Sequence, residues 1–382
     1  MGRYHRVACI GGDHAGAIGG ILHGLYHFAR PDKQWIMRDF SRQRDDLFQI
    51  ERAIEFRPDA IVAHVGSQEV ADRLRATRRP VVTWSFMRHD FGFPRVGVDE
   101  RQVGCMGADY FLSRGYRHFG FALHEEWAFS QERLAGFRER VGAAGCEVHI
   151  MPRGEGLTAP AKREPRLEFR ARWLRDLPKP AAVMTDIDSE ARLLCESATT
   201  GNLRVPEDVA VLGVSNYELL CDLYWPPLSS IRTPDERIGY ELGHLVELAL
   251  AGRPLPEVTL LQPLEVVERR STQDYATNHS HLTMALRLMR ERVADGIDVT
   301  DLLDEVPISR GHLFRLFKAH LGRSPLEEIH RLRCEAAKQL LISTDLPMPI
   351  IATKTGFCSS SHLARAFKKI TGITPGAFRR RK

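Results

Sequence analysis

Ser309-Arg-Gly-His-Leu-Phe-Arg-Leu-Phe-Lys318 and Ser360-Ser-His-Leu-Ala-Arg-Ala-Phe-Lys-Lys369 are two versions of one short pattern, about fifty residues apart. Leu313, Leu316 and Phe317 fall at i, i+3, i+4, as do Leu363, Ala366 and Phe367, so each stretch predicts a helix with one apolar face. The opposite face of the first carries Gly311, Phe314, Arg315 and Lys318, and that of the second Ser361, Ala364, Arg365 and Lys368. Two such helices in one small unit suit two contacts with one duplex.

The sequence around the repeat supports that reading. Ile350-Ile-Ala-Thr-Lys-Thr-Gly356-Phe357 predicts a short helix ended by a glycine in the left-handed conformation. Serines 359–361 then offer an N-cap for the next helix, which makes a helix-turn-helix. Between the copies, Ser324-Pro-Leu-Glu327 reads as a capping box with proline at the first helical position, opening a long helix through Leu341. Such a helix can hold the two units at a fixed separation. If that separation is about 34 Å, both enter successive major grooves.

Charge points the same way. Of the 54 Lys+Arg and 49 Asp+Glu, residues 280–382 hold 18 and 10, a net +8. The rest of the chain holds 36 and 39, a net −3. A basic module on a slightly acidic body predicts a polyanionic partner for the module. The seven cysteines are scattered without a CxxC pair, as expected for reduced thiols in a cytoplasmic protein. The histidines show no metal-ligand spacing, so neither a metal nor a cofactor is expected. The chain has no run of 18 apolar residues and no signal peptide, which predicts neither a membrane span nor export.

Ahead of the module the pattern is strand, helix, strand, helix. Predicted strands are 7–10, 60–65, 81–84, 119–123, 182–185 and 209–214. Predicted helices lie near 15–29, 45–56, 67–78, 100–114, 131–143, 188–199 and 234–251. The fold class is therefore an α/β body of parallel sheets, with ligand expected at the carboxyl ends of the strands, followed by an all-α domain. The expected domains are residues 1–270, a polar linker over 271–280, and residues 281–382, with helix-turn-helix units at about 299–320 and 348–371.

Residues 282–380 closely resemble the AraC/XylS family of transcription regulators. The resemblance runs through Arg331-Leu-Arg333, Ala337-Lys-Gln-Leu-Leu341, Ile351-Ala352, Gly356-Phe357, Phe367-Lys368, Thr371-Gly-Ile-Thr-Pro375 and Phe378-Arg379. It implies a seven-helix DNA-binding unit. Arg310, Gly311, Phe314 and Arg315 then match base- and backbone-facing places of the first recognition helix, and Ser360, Ser361, Ala364 and Arg365 those of the second. Arg315 and Arg365 are the expected base readers, since a guanidinium bonds guanine O6 and N7 together. Their alternative is to clamp phosphate or pair with an acid. Lys318 and Lys368 are expected at phosphates or in solvent. The family has glycine in the first turn. Here Val306-Pro307-Ile308 stands there, and proline excludes positive φ.

Residues 5–270 resemble LacI/GalR-type sensor domains, which have a periplasmic-binding-protein-like fold. The resemblance rests on Gln131-Glu-Arg133-Leu-Ala-Gly136-Phe137, Val96-Gly-Val-Asp99, Ser113-Arg-Gly-Tyr-Arg-His-Phe-Gly120, the strand before Asn216, and Pro226-Pro-Leu-Ser-Ser-Ile231. It implies two lobes with an effector in the cleft. Such a sensor ahead of an AraC-type module is the layout of xylose-operon activators. The expectation is a regulator, an activator of pentose utilisation, whose effector is D-xylose or a related sugar. Its partners would be double-stranded operator DNA, a second copy through the sensor, and RNA polymerase.

Sugar hydroxyls need planar donors and acceptors, and ring faces need aromatics. Arg133, Asp186, Asn216, Asp13 and His14 are the polar candidates; Trp84, Trp127 and Phe129 are the stacking candidates. Each has a structural alternative: a salt bridge for Arg133, a helix N-cap for Asp186, and core for Trp127. Ser215 stands where such sensors often carry aspartate, which opens the sugar preference. The same architecture sensing another sugar or a purine is the alternative. A sugar-processing enzyme is the remote one, resting on Gly11-Gly-Asp-His-Ala-Gly16, a glycine-rich turn common in α/β folds.

Overall fold

The computed structural model describes residues 4–11, 17–30, 33–40, 46–86, 91–123, 127–152, 163–273 and 279–379. They form two compact units that divide between Asp274 and Tyr275, apart from the turn Ser113–Gly115.

The first unit holds two six-stranded sheets. Lobe 1 contains β1 (His5–Ile10), β2 (Trp35–Asp39), β3 (Ala60–Val65), β4 (Val81–Phe86), β5 (Arg95–Val98) and β11 (Val258–Leu261), in the order β11-β5-β4-β3-β1-β2. All its pairings are parallel. Lobe 2 contains β6 (His118–Ala122), β7 (Val148–Ile150), β8 (Ala181–Thr185), β9 (Val209–Ser215), β10 (Ser229–Arg232) and β12 (Glu265–Val267), in the order β12-β10-β9-β8-β6-β7. Here β12 runs antiparallel to β10. The central strands β3 and β8 are buried at every residue. That burial is why their sequences read as nearly continuous apolar runs, interrupted only by His64 in β3 and ended by Thr185 in β8, rather than alternating ones.

Helices α1 (Ala17–Phe28), α2 (Asp46–Glu55), α3 (Gln68–Ala76) and α9 (Asp235–Leu250) belong to lobe 1. Helices α4 (Glu100–Leu112), α5 (Ala128–Ala143), α6 (Arg163–Asp176), α7 (Asp188–Thr200) and α8 (Glu218–Leu223) belong to lobe 2. The chain passes between lobes at Asp99, at Thr233-Pro234, and between β11 and β12. Two of these crossings open helices that cross a neighbour at backbone contact. A Cβ on Gly104 of α4 would lie 1.9 Å from the Arg133 carbonyl, and one on Gly239 of α9 1.9 Å from that of Ile21. Glycine at both places lets the crossing helices seat their first turns against the cleft.

The second unit has seven helices among its described residues: α10 (Ser280–Glu291), α11 (Val299–Glu305), α12 (Arg310–Leu321), α13 (Pro325–Ser343), α14 (Met348–Lys354), α15 (Ser360–Thr371) and α16 (Pro375–Arg379). Leu282, Met289, Leu302, Leu313, Phe317 and Ile329 form one core. Cys334, Leu341, Ile351, Phe357, Leu363 and Phe367 form another. Helix α13 contributes to both, so it is the strut that joins them.

Two expectations are corrected. Ser271 and Thr272, read as the start of a linker, are fully buried in lobe 2. Ser271 Oγ donates to the Val211 carbonyl at 2.7 Å, and Thr272 Oγ1 lies 2.7 Å from Ser229 Oγ. Small hydroxyl residues look polar in sequence but fill a sheet edge once their bonds are satisfied. Trp84, expected to stack on a ligand, lies in the core of lobe 1 with Val7, Val62 and Leu242, its ring 5.9 Å from that of His64.

Candidate effector cleft and nucleic-acid interface

Strand β8 delivers Asp186 and strand β9 delivers Asn216 to the carboxyl edge of the lobe 2 sheet. Asp186 is fully buried and accepts a hydrogen bond from Ser130 Oγ at 2.7 Å. It does not cap α7, whose N-cap is Ile187. Arg133, 5% exposed, donates through Nη1 to the Asp186 carbonyl and through Nε to Glu100 Oε2 at 2.5 Å. The salt-bridge alternative for Arg133 is thus real, and it fixes the guanidinium at the cleft. Among the described residues its Nη2 makes no hydrogen bond. The guanidinium sits 4.8 Å over the Phe129 ring, and Phe129 lies 5.2 Å from Trp127.

Asn216 takes a left-handed φ of 50° after Ser215 at 103°, a bend that turns its amide off the strand end. Its backbone N–H donates to Ser230 Oγ, and its Oδ1 accepts from Arg269 Nη1 at 2.8 Å. Four residues that sequence reasoning missed complete the site: Glu100, Asp188, Asp235 and Arg269. Asp188 accepts from Ser230 Oγ at 2.5 Å and from the Tyr217 N–H at 2.9 Å. Burial raises its carboxyl to about 6, against the pull of those bonds. Asp235, first residue of α9, is half-buried; desolvation raises it to about 7, opposed by Thr233 and the Arg133 charge and reinforced by Glu100. Burial also raises Glu100, with Arg133 pulling it down. The signal for Glu100 and Asp235 was positional: each is an acid in the first turn after a lobe crossing. Asp13 and His14 lie outside the described residues.

The carboxyl edge of the lobe 2 sheet therefore groups one guanidinium with its Nη2 left over, buried carboxylates, an amide and two aromatic rings. That set suits a small polyhydroxylated ligand held by paired hydrogen bonds.

In the second unit the repeat folds as two equivalent helices. Ser309 and Ser359 are the N-caps, accepting from the His312 and His362 N–H groups at 3.3 and 3.1 Å. Gly322 and Gly372 close the helices at φ 69° and 79°. Leu313, Leu316, Phe317, Leu363, Ala366 and Phe367 are buried. Arg310, Gly311, Arg315, Lys318, Ser361, Arg365 and Lys368 are exposed; Phe314, Ser360 and Ala364 are half-buried on the same face. Arg315 and Arg365 make no hydrogen bond or ion pair among the described residues, so neither is committed to an acid. Arg310 lies 5.6 Å over the Phe314 ring, and Lys318 Nζ bonds the Gly322 carbonyl at 3.0 Å. The second turn uses Gly356 at φ 74°. The first is reshaped: Val306 is buried and extended at φ −98°, ψ 116°.

Residues 108–272 match the periplasmic binding protein-like domain, and residues 302–381 match a helix-turn-helix domain. The chain joins a periplasmic binding protein-like domain to a helix-turn-helix domain and is a DNA-binding transcription regulator. It is homologous to xylose operon regulatory proteins. It is 27% identical to that of Haemophilus influenzae over 84% of each chain. It is also 27% identical to that of Escherichia coli K12, over 89% of this chain and 88% of that one. These homologues are transcription regulators, not enzymes. In fold, the chain is similar to a xylose-binding transcription activator, xylR, at TM-score 0.63 and 24% identity, covering 100% of this chain and 99% of that one. A regulator solved with cellobiose, CelR, aligns at TM-score 0.56 and 20% identity over 70% of this chain and 85% of that one. Among the described residues no helix is long and apolar enough to cross a membrane.

Proposed function

We propose that the protein is a cytoplasmic, sugar-responsive activator of pentose utilisation genes, with D-xylose as its effector. The sugar occupies the cleft, where Arg133 and Asp186 bond its hydroxyls, the Asn216 amide bonds another, and Trp127 and Phe129 cover a ring face. What supports the reading is Arg133 held on the Asp186 carbonyl at the end of β8, with Asn216 at the end of the neighbouring strand β9, in a chain that ends in two capped helices with exposed basic residues. Homology to regulators named for the xylose operon supplies the sugar class. Lobe closure on the sugar resets a sensor-mediated homodimer, and the paired modules then engage adjacent half-sites and present the activator to RNA polymerase. The sugar acts through its differential affinity for the two arrangements.

The test is calorimetric titration of the full chain with D-xylose, alongside Arg133→Lys. Saturable heat in the parent and a loss of at least tenfold in affinity in the variant support the cleft. No heat with D-xylose, in a protein that still footprints DNA, refutes the effector and leaves the regulator standing.

A further inference from the structure

Arg269 joins the effector cleft to the segment that leads into the DNA-binding unit. Its side chain donates through Nε to Asp222 Oδ1 at 2.6 Å, and through Nη1 to Asn216 Oδ1 at 2.8 Å and to the Leu228 carbonyl at 3.1 Å. Its backbone N–H donates to Ser229 Oγ at 2.7 Å, and that hydroxyl bonds back to the Arg269 carbonyl at 2.8 Å. One residue further begins the 3-10 turn Arg270–Thr272, the last described structure before the chain continues toward α10. Its amides are tied as well: Ser271 N–H to the Pro227 carbonyl at 3.0 Å and Gln273 N–H to that of Arg270 at 3.1 Å. Thr272 Oγ1 also lies 2.6 Å from the Tyr110 hydroxyl of α4, the helix whose first residue, Glu100, holds Arg133. The exit segment is thus pinned to both sides of the effector chemistry.

We infer that Arg269 is a positioning residue that transmits effector occupancy from Asn216 to the exit segment, and so to the DNA-binding unit. The inference rests on the effector site proposed above. The physical step is polarisation. When the Asn216 amide nitrogen donates to an effector hydroxyl, the amide carbonyl becomes a stronger acceptor, because hydrogen bonds in series reinforce one another. Arg269 is the donor to that carbonyl, so occupancy tightens the clamp on residues 269–273. By linkage, whatever orders that segment raises effector affinity in return. Lysine cannot replace it, since a single ammonium lacks the planar fork that reaches Asp222 and Asn216 together.

Amide hydrogen exchange on the full chain tests this, reading peptides over 267–273 with and without D-xylose, together with anisotropy of operator DNA. In the absence of sugar, Asn216→Ala and Arg269→Lys each speed exchange in 267–273, while peptides in the β3 core stay at the parent rate. In the parent, D-xylose slows exchange there and shifts DNA affinity. Couplings of this kind amount to about 5–150-fold. Arg269→Lys takes up D-xylose more weakly, and at a sugar concentration that calorimetry shows to be saturating its DNA shift falls toward onefold. Unchanged exchange in Asn216→Ala, or a full DNA shift in Arg269→Lys, overturns the relay. If the parent takes up no D-xylose, the effector reading fails on its own, and the sugar-free exchange comparison decides the relay.

Discussion

Arg365→Ala separates recognition of bases from attraction to phosphate. Arg365 is exposed and makes no hydrogen bond or ion pair among the described residues. Its removal therefore leaves no stranded partner, and folding stability should move by less than about 0.5 kcal/mol. Its helix axis is held independently, by the Ser359 cap and by buried Leu363 and Phe367. If Arg365 reads a base, what the change removes is one guanidinium in the groove. A bidentate contact to guanine is worth about 1–3 kcal/mol of discrimination, or about 5–150-fold in affinity. Lys368, one turn on and equally exposed, presents a point charge instead. Lys368→Ala should weaken all sequences alike and reduce the salt slope by about 0.9 for each phosphate that is no longer neutralised. The assay is fluorescence anisotropy of the full chain on a selected operator, on its single-base variants and on scrambled DNA, at three salt concentrations. Arg365→Ala should lose preference at one base position and little affinity for scrambled DNA. Equal losses on operator and scrambled DNA, with a reduced salt slope, would refute the assignment of Arg365 as a base reader.

Gly356→Ala should destabilise the second unit selectively. An added Cβ would lie 2.3 Å from the Val293 carbonyl in a residue at φ 74°. The conformation alone costs about 1–2 kcal/mol, and calorimetry should show the module melting at least about 4 °C lower; an unchanged transition would contradict the turn geometry. Ser324→Ala removes the reciprocal cap at the start of α13, where Ser324 Oγ accepts from the Glu327 N–H and Glu327 Oε2 from the Ser324 N–H. Urea melts should report about 1 kcal/mol lost. Asp188→Asn should change the pH dependence of stability. Burial raises the Asp188 carboxyl from 3.8 to about 6, so the folded chain holds the proton more tightly than the unfolded chain. The stability contributed is complete below pH 3.8 and is lost as pH rises through about 6. A rise of that size corresponds to at most about 3 kcal/mol. The stability of the parent minus that of Asp188→Asn should therefore fall between pH 4 and pH 7, and a rise would contradict a proton held by burial.

The second unit was more legible in sequence than the first, for a physical reason. Its signals are local: a cap at Ser324, a left-handed glycine at 356, an apolar triplet in each recognition helix. Each is fixed by a few neighbours in the chain. In the first unit the buried central strands at 7–10, 60–65, 182–185 and 209–214 were plain, being nearly continuous apolar runs. Edge strands β2 and β7 were not read; β2 alternates in burial and β7 has three residues. Helix α6 was missed because Arg163–Asp176 is mostly charged, with Arg170 turned inward onto Glu190 at 2.6 Å. The cleft was legible where a residue ends a buried strand, as at Asp186 and Asn216. It was illegible where the residue arrives from another part of the chain, as Glu100, Asp235 and Arg269 do. Their roles arise from the lobe crossings, and a crossing leaves no mark on local composition.

The two helix-turn-helix units bear on how much a turn matters. One turn uses Gly356 at positive φ; the other uses an extended Val306 ahead of Pro307. A turn conformation that fixed the helix pose would make the following helices differ. Yet Ser309 and Ser359 cap at the same register, Gly322 and Gly372 close at the same register, and Arg315 and Arg365 stand at matching exposed positions. What is common to both units is the buried triplet under each helix and its seat against α13. The pose of each recognition helix is thus set by its apolar face and its caps, while the turn needs only to span the gap. Proline at 307 is tolerated because the turn it occupies carries no left-handed residue.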